Sequence, residues 1–226
     1  MESSNITVYT SITGDKDDIL DGQKVHGSQQ IAFVDKPVLS KEWKQSIINP
    51  VFSDPRRTSR LPKLLSHQYV KTEYSIYIDG NIRLLVDPKI LIEKYLKDVD
   101  LATYKHPNRT CLYDEAKVCM AMRLDEPETI IEQAKMYEDA QYAKHKGLCE
   151  CGIIFRRHTP KVEEFNNAWF SEYCRHSRRD QISFMYAVDR VGIRLNVIND
   201  FFIEDSPSHA VKQSGEFEIV VHKKYG

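Results

Sequence analysis

Two hydrophobic periods run through the chain, and they predict its elements. Residues 6–12 (ITVYTSI) mix β-branched and aromatic side chains in the alternating pattern of a first strand. The run breaks into Thr13-Gly14-Asp15-Lys16-Asp17-Asp18, a polar loop with glycine at its turn. Residues 31–35 (IAFVD) form a second apolar run ending on a carboxylate. Residues 42–48, around Trp43, are read as a third strand, although their period alone does not separate strand from helix. Residues 74–78 (YSIYI) predict a central strand that runs directly into Asp79-Gly80-Asn81.

Helical periods take over after that point. Asp87 as cap and Pro88 at the first position open a helix to about residue 97, with Ile90, Leu91 and Tyr95 on its apolar side. Residues 100–104 (DLATY) are strand-like, and stretches 113–124 and 126 to about 144 are amphipathic helices. A buried strand is expected at 152–156 (GIIFR). It is followed by a helix over 160–175, with Phe165, Trp169 and Tyr173 on one core-facing stripe. A last helix covers 182–191, stopped by Gly192 and opened by residues 177–181, and 194–198 predicts a final strand. From about residue 203 no element is legible. Alternating strands and helices make the fold class α/β, with a mostly parallel sheet.

Composition narrows the classes. With 226 residues the chain suits one domain over 1–226, and a hydrophobic share of 41% is ordinary for a globular protein. The net charge of −1 supplies no global field for nucleic acid, so none is expected as a partner. No run approaches the ~20 apolar residues of a spanning helix, and the first twelve residues lack the pattern of a secretory signal. Five scattered cysteines read as reduced thiols, so the expected compartment is the cytoplasm.

Charge matters only locally. A carboxylate at the end of a buried strand, Asp79, is costly unless it has a partner. Arg56, Arg57, Arg60 and Lys63 lie shortly upstream, in a stretch where Ser59 is read as a helix cap and Pro62 as its first turn. An anion, read as a diphosphate with a divalent metal, would fit between them. Asp79 and Asn81 offer oxygen ligands of the type Mg²⁺ and Mn²⁺ take. Phosphate-loop, dinucleotide and nucleophile-elbow motifs are missing. His145, Cys149, Cys151 and His158 resemble a zinc set, but C-x-C lacks the usual ligand spacing and the set is not adopted.

DPRRTSRLPKLL, YSIYIDGNIRLLVDP, HPNRTCLYDEA and SRRDQISF follow one another in order. Together they resemble the glycosyltransferase-like domain of plant mucilage-related, bacterial and large-virus proteins. More distantly they are similar to glycogenin-like transferases of the GT-A fold. The resemblance implies a single Rossmann-like GT-A domain. It would move a hexose or pentose from a nucleoside-diphosphate sugar, uridine ahead of guanosine, to a hydroxyl of a glycan or glycoconjugate with Mn²⁺ or Mg²⁺ assisting. On this resemblance Thr10, Ser11 and Asp35 hold the nucleoside, and Arg57, Arg60 and Lys63 the diphosphate. The D-x-D position falls on Asp79 and Asn81, with Asn81 in place of the second acid, and His209 is the candidate third metal ligand. Asp180 is the first choice of base and Glu150 the second, while His106 and Arg109 are assigned to sugar or acceptor. The alternatives are a non-catalytic glycan- or partner-binding module of the same fold and, last, a metal-dependent phosphohydrolase using Asp79 and Asp180.

Overall fold

The computed structural model describes residues 2–199, 204–205, 211–213 and 215–220. The strands of the large sheet are β1 (Ile6–Ile12), β2 (Gln29–Val34), β3 (Lys44–Ile47), β4 (Tyr74–Ile78), β6 (Leu101–Lys105), β7 (Cys149–Arg157) and β8 (Leu195–Ile198). Their order is β3-β2-β1-β4-β7-β6-β8. The β1–β2, β1–β4, β2–β3 and β6–β8 pairs are parallel, whereas β7 runs antiparallel to both β4 and β6. Because β6 and β4 both oppose β7, they point the same way. The loops after β1, β2, β4 and β6 therefore gather at one edge of the sheet, where the start of β7 also lies. This is the single α/β domain with a mixed, mostly parallel sheet that the resemblance implies.

Helices cover both faces. They are α1 (Pro55–Leu64), α2 (Ser66–Tyr69), α3 (Pro88–Tyr95), α4 (Leu112–Ala121), α5 (Pro127–Asp139), α6 (Pro160–Arg175) and α7 (Asp180–Val191). Alternation along β1 and β4 divides the core. Ile6, Val8, Ile12, Ile76 and Ile78 pack on one face with Leu91 and Ile92 of α3. Tyr9 and Tyr77 pack on the other with Leu64 of α1, Phe165, Trp169 and Tyr173 of α6 and Phe184 of α7. The α6 stripe is fully buried, as its period predicts. On α3 the buried side is Leu91, Ile92 and Tyr95, whereas Ile90 is exposed. The buried stripe is therefore turned toward Ile92 by roughly a fifth of a turn. A third cluster, built on α4 and α5 with Leu148 and Ile182, sits beside these two.

Two expectations are corrected. The basic helix starts at Pro55 rather than near Ser59: Asp54 caps it by accepting from the Arg56 amide at 2.9 Å. Pro62 lies inside the helix instead of at its first turn. The tail is also not irregular throughout. Strands β9 (Glu204–Asp205), β10 (Val211–Gln213) and β11 (Phe217–Val220) join β5 (Ile82–Leu84) in a small antiparallel sheet of order β5-β11-β10-β9. Short polar runs such as VKQ carry too little period to announce a strand. Their pairing is decided by β5, which lies more than 120 residues earlier in the chain. Among the described residues, no helix is long and apolar enough to cross a membrane.

Candidate active site

The shared edge of the sheet assembles a charged corner from segments distant in sequence. Asp79 follows β4, its amide donating to the Gly152 carbonyl of β7 at 2.8 Å. Gly80 then passes so close to β1 that a Cβ on it would stand 2.6 Å from Ile12 Cδ1. A side chain at this turn would have to displace Ile12, so the close approach favours glycine. The Tyr77 hydroxyl donates to Asp79 Oδ1 at 2.7 Å. Oδ2 of the same carboxylate lies toward Gly152, where a Cβ would stand 3.5 Å away, so the missing side chain leaves this oxygen room.

Lys63 ties Asp79 to α7. Its Nζ is 2.6 Å from Asp180 Oδ2 and 4.0 Å from Asp79 Oδ1, and it lies over the Tyr77 ring at 5.1 Å. Arg60 Nε is 3.3 Å from the same Asp180 oxygen. Lys63 and Asp180 are both buried. Burial alone would raise the Asp180 carboxyl, but Lys63 first and Arg60 second outweigh it and hold it well below the usual range. Asp79 is likewise lowered, burial being opposed by Lys63 and then Arg60. Beneath them the fully buried Arg156 donates to the Lys63 carbonyl at 2.9 Å and to the Tyr9 hydroxyl at 3.1 Å. It sits at the C-terminal end of α1, where a cation complements the helix dipole.

A narrow cleft opens beside this corner, lined by Ser11, Thr13, Lys16, Ser59, Arg60, Asp79 and Gly80 among others. Lys16, which sequence reasoning passed over, stands in it. Burial and the neighbouring Arg60 lower its ammonium, partly opposed by Asp79. Its position in the T-G-D-K loop after the first strand was the available signal. The buried hydroxyls of Thr10 and Ser11 have no hydrogen-bond partner among the described residues. An unsatisfied buried hydroxyl is costly. Asp35, at the end of β2, accepts from the Gly14 amide at 2.8 Å and so holds the loop that carries Lys16.

On the other side of Asp79 lies Glu150, near the start of β7. Its carboxyl is pushed up to about 7, by burial first and the charge of Asp79 second, with Lys63 pulling the other way. His106 Nε2 is 3.5 Å from Glu150 Oε2, and the Gln181 amide donates to the Glu150 carbonyl at 2.8 Å. His106 Nδ1 accepts from the Arg109 amide at 3.1 Å, and its Nε2 lies 3.1 Å from Arg109 Nη2, so N–H groups of Arg109 face both ring nitrogens. Burial and then Arg109 lower the imidazole, so it is neutral near pH 7. Arg109 itself is tied to the buried Glu115, Nε to Oε2, at 2.5 Å.

The sequence-predicted residues therefore divide. Asp79, Arg60, Lys63 and Asp180 meet in one corner, with Thr10, Ser11 and Asp35 along the same sheet edge and Glu150, His106 and Arg109 beyond it. Arg57 turns away: its guanidinium donates to the carbonyls of Tyr173 and His176, both at 3.2 Å, and lies over the Tyr173 ring. Asn81 is committed elsewhere, its Nδ2 donating to the Val220 carbonyl of β11 at 2.8 Å. His209 lies outside the described residues. The rejected zinc set is dispersed: His158, at the far end of β7, contacts Ser75 Oγ at 2.9 Å, and Cys149 and Cys151 are buried in the core.

Comparison with known proteins adds four findings. A model of the TOD1/MUCI70 glycosyltransferase-like domain matches residues 1–215. Among curated proteins, a probable hexosyltransferase MUCI70 of Arabidopsis thaliana is 30% identical over 174 residues, 72% of this chain and 30% of that protein. An alkaline ceramidase TOD1 of the same plant is 26% identical over 167 residues, 68% of this chain and 36% of that protein. The chain thus spans about a third of the length of these relatives. The crystal structure of mouse xyloside xylosyltransferase 1, in its apo form, aligns over 85% of this chain and 84% of its own, with TM-score 0.47 and 9% identity.

Proposed function

Because the chain belongs to the TOD1/MUCI70 glycosyltransferase-like domain family, we propose that it transfers a sugar from a nucleoside-diphosphate donor to an acceptor hydroxyl of a glycan or glycoconjugate. The observation that carries the reading is the Lys63–Asp180–Arg60 cluster against Asp79, at the edge of the sheet where the parallel strands end. Open α/β sheets bind ligands outside these carboxyl ends. In this reading Thr10, Ser11 and Asp35 face the nucleoside, uridine in preference to guanosine. A hexose is the donor sugar we favour, since one relative is named a probable hexosyltransferase.

Breaking the anomeric bond puts negative charge on the departing diphosphate. Arg60 and Lys16, at the mouth of the cleft, are the cations that would meet it. Lys63 acts from beneath, since it is buried against Asp180 and fixes the charge of the corner in advance. Arg57 has no part in this reading, because its guanidinium is turned onto the carbonyls at the C-terminal end of α6.

Asp79 can offer Oδ2 to Mg²⁺ or Mn²⁺, which accept one or two carboxylates when donor phosphates complete the shell. The residues therefore fit a cation held largely by the substrate, with Asn81 anchored to Val220 through Nδ2 and only its Oδ1 able to serve as a ligand. Such an ion would add Lewis-acid stabilisation of the same leaving group.

For the acceptor proton, Glu150 replaces Asp180 as our first choice. Asp180 is buried and neutralised by two cations, so it has neither access nor basicity. Glu150 is half-exposed, with a carboxyl near 7, where a general base is most effective. His106 stands beside it, with Nε2 3.5 Å from Oε2. Five free cysteines, four of them buried, suit a reducing compartment and support a cytoplasmic setting.

The test is release of nucleoside diphosphate from a panel of nucleotide-sugars, with and without Mn²⁺ and a glycan acceptor. Turnover abolished by Asp79→Ala supports the reading. Binding of the nucleotide without hydrolysis or transfer under any condition would leave the non-catalytic module, the reading favoured by the amide at Asn81.

A further inference from the structure

Beside the loop that carries His106 and Arg109 lies a second group of donors outside the transferase machinery. Cys111, Asp114 and His145 each place one ligand atom within 4.8 Å of the others. Cys111 is the residue before α4 and makes no side-chain capping bond to that helix, while Asp114 is in its first turn. His145 comes from the turn between α5 and β7, where it holds the left-handed backbone at φ +58°. Non-glycine residues are uncommon in this region. The two segments are already registered by backbone bonds: Gly147 donates to the Thr110 carbonyl at 3.1 Å, and His106 to the Leu148 carbonyl at 2.8 Å.

We infer that Cys111, Asp114 and His145 form a zinc site. Thiolate, imidazole and carboxylate together are the donors Zn²⁺ selects, whereas Mg²⁺ and Mn²⁺ favour oxygen alone. With bonds of about 2.0–2.3 Å in a tetrahedron, ligand atoms stand roughly 3.3–3.8 Å apart, so the three need to close by about 1 Å. Asp114 is partly exposed and His145 exposed, and both side chains can make that move while the buried Cys111 stays fixed. Three protein ligands leave a fourth position for water. Binding releases the thiol proton of Cys111 to solvent and needs no redox partner. The ion would clasp the turn at His145 to the start of α4, and so brace the loop holding His106 and Arg109 against the strand holding Glu150.

The sequence reading weighed His145 for zinc only together with Cys149, Cys151 and His158, and did not adopt that set. Cys111 lies 34 positions from His145, beyond any ligand-spacing motif.

The experiment is titration of the chelator-treated full chain with Co²⁺ and then Zn²⁺. The expected result is one equivalent of Co²⁺ bound with a thiolate-to-cobalt charge-transfer band, displaced by Zn²⁺. Cys111→Ser removes the band, and His145→Ala weakens Zn²⁺ by roughly 100-fold, while Cys174→Ser leaves both unchanged. His145 is exposed, so its variant tests the site without threatening the fold. Hydrogen exchange of residues 106–111 and 143–148 should slow when Zn²⁺ is added. No stoichiometric uptake, or uptake indifferent to both Cys111→Ser and His145→Ala, overturns the proposal.

Discussion

At the scale of single residues, Lys63 holds the corner together. It is buried against Asp180 and near Asp79, so removing its charge leaves two carboxylates facing each other with less compensation. Lys63→Met should cost about 3–5 kcal/mol, the usual penalty for orphaning one side of a buried pair, and urea denaturation measures it. Glu150→Gln has a different signature. It should keep the fold and lower kcat by roughly 100- to 10,000-fold, the range for loss of a general base. The wild-type rate should rise with pH through an apparent pKa near 7, where the Glu150 carboxyl ionises, and this limb should vanish in the variant. A pH–rate profile of both proteins checks the pair of expectations. Asp79 was legible as a candidate because a carboxylate at a strand end, followed by glycine, is a local pattern. Asp180 was legible as a charge but not as a spent one, since its partners sit on a helix more than 110 residues earlier.

At the scale of elements, the sheet was largely readable because its strands carry their own period, and α6 announced itself by the Phe165–Trp169–Tyr173 stripe. What stayed hidden was set by tertiary pairing. The small sheet depends on β5 meeting β11, and Asn81 is part of that junction rather than a mirror of Asp79: its backbone carbonyl accepts from the Val220 amide while its side chain donates back. This gives an expectation opposite to the one a D-x-D pattern suggests. Asn81→Asp restores the second acid but loses the donor to Val220, so it should speed amide exchange across 217–220 without tightening Mn²⁺ binding. Mass-detected hydrogen exchange and a metal titration decide it. The turn itself is equally constrained. Gly80→Ala puts a methyl against the buried Ile12, and overpacking of this kind costs about 1–3 kcal/mol, measurable as a lowered urea midpoint.

At the scale of the whole molecule, two groups at one site give stability opposite pH dependences. Asp79 and Asp180 have lowered carboxyl pKa values, so the stability they supply is present above their unfolded value of about 3.9. It is lost as pH falls through the lower folded values. Glu150 is raised, so its contribution is complete below about 4.3 and is lost as pH rises through about 7. The chain should unfold steeply in acid, less so in Asp180→Asn, and should also lose some stability as pH rises from about 4.3 to about 7, a loss absent in Glu150→Gln. Thermal unfolding across pH reads both slopes. Composition showed none of this, because a net charge of −1 says nothing about where charges are concentrated.

If the Asp79–Lys63–Arg60 corner receives a nucleoside diphosphate, calorimetric titration with uridine diphosphate, with and without Mn²⁺, will detect it. Saturable one-to-one binding is expected, weakened at least roughly tenfold in Arg60→Ala, as loss of a charged hydrogen bond of about 1.5–3 kcal/mol requires, and without any metal enhancement in Asp79→Ala. Absence of binding to the wild-type chain under both conditions, or binding untouched by either substitution, would contradict it.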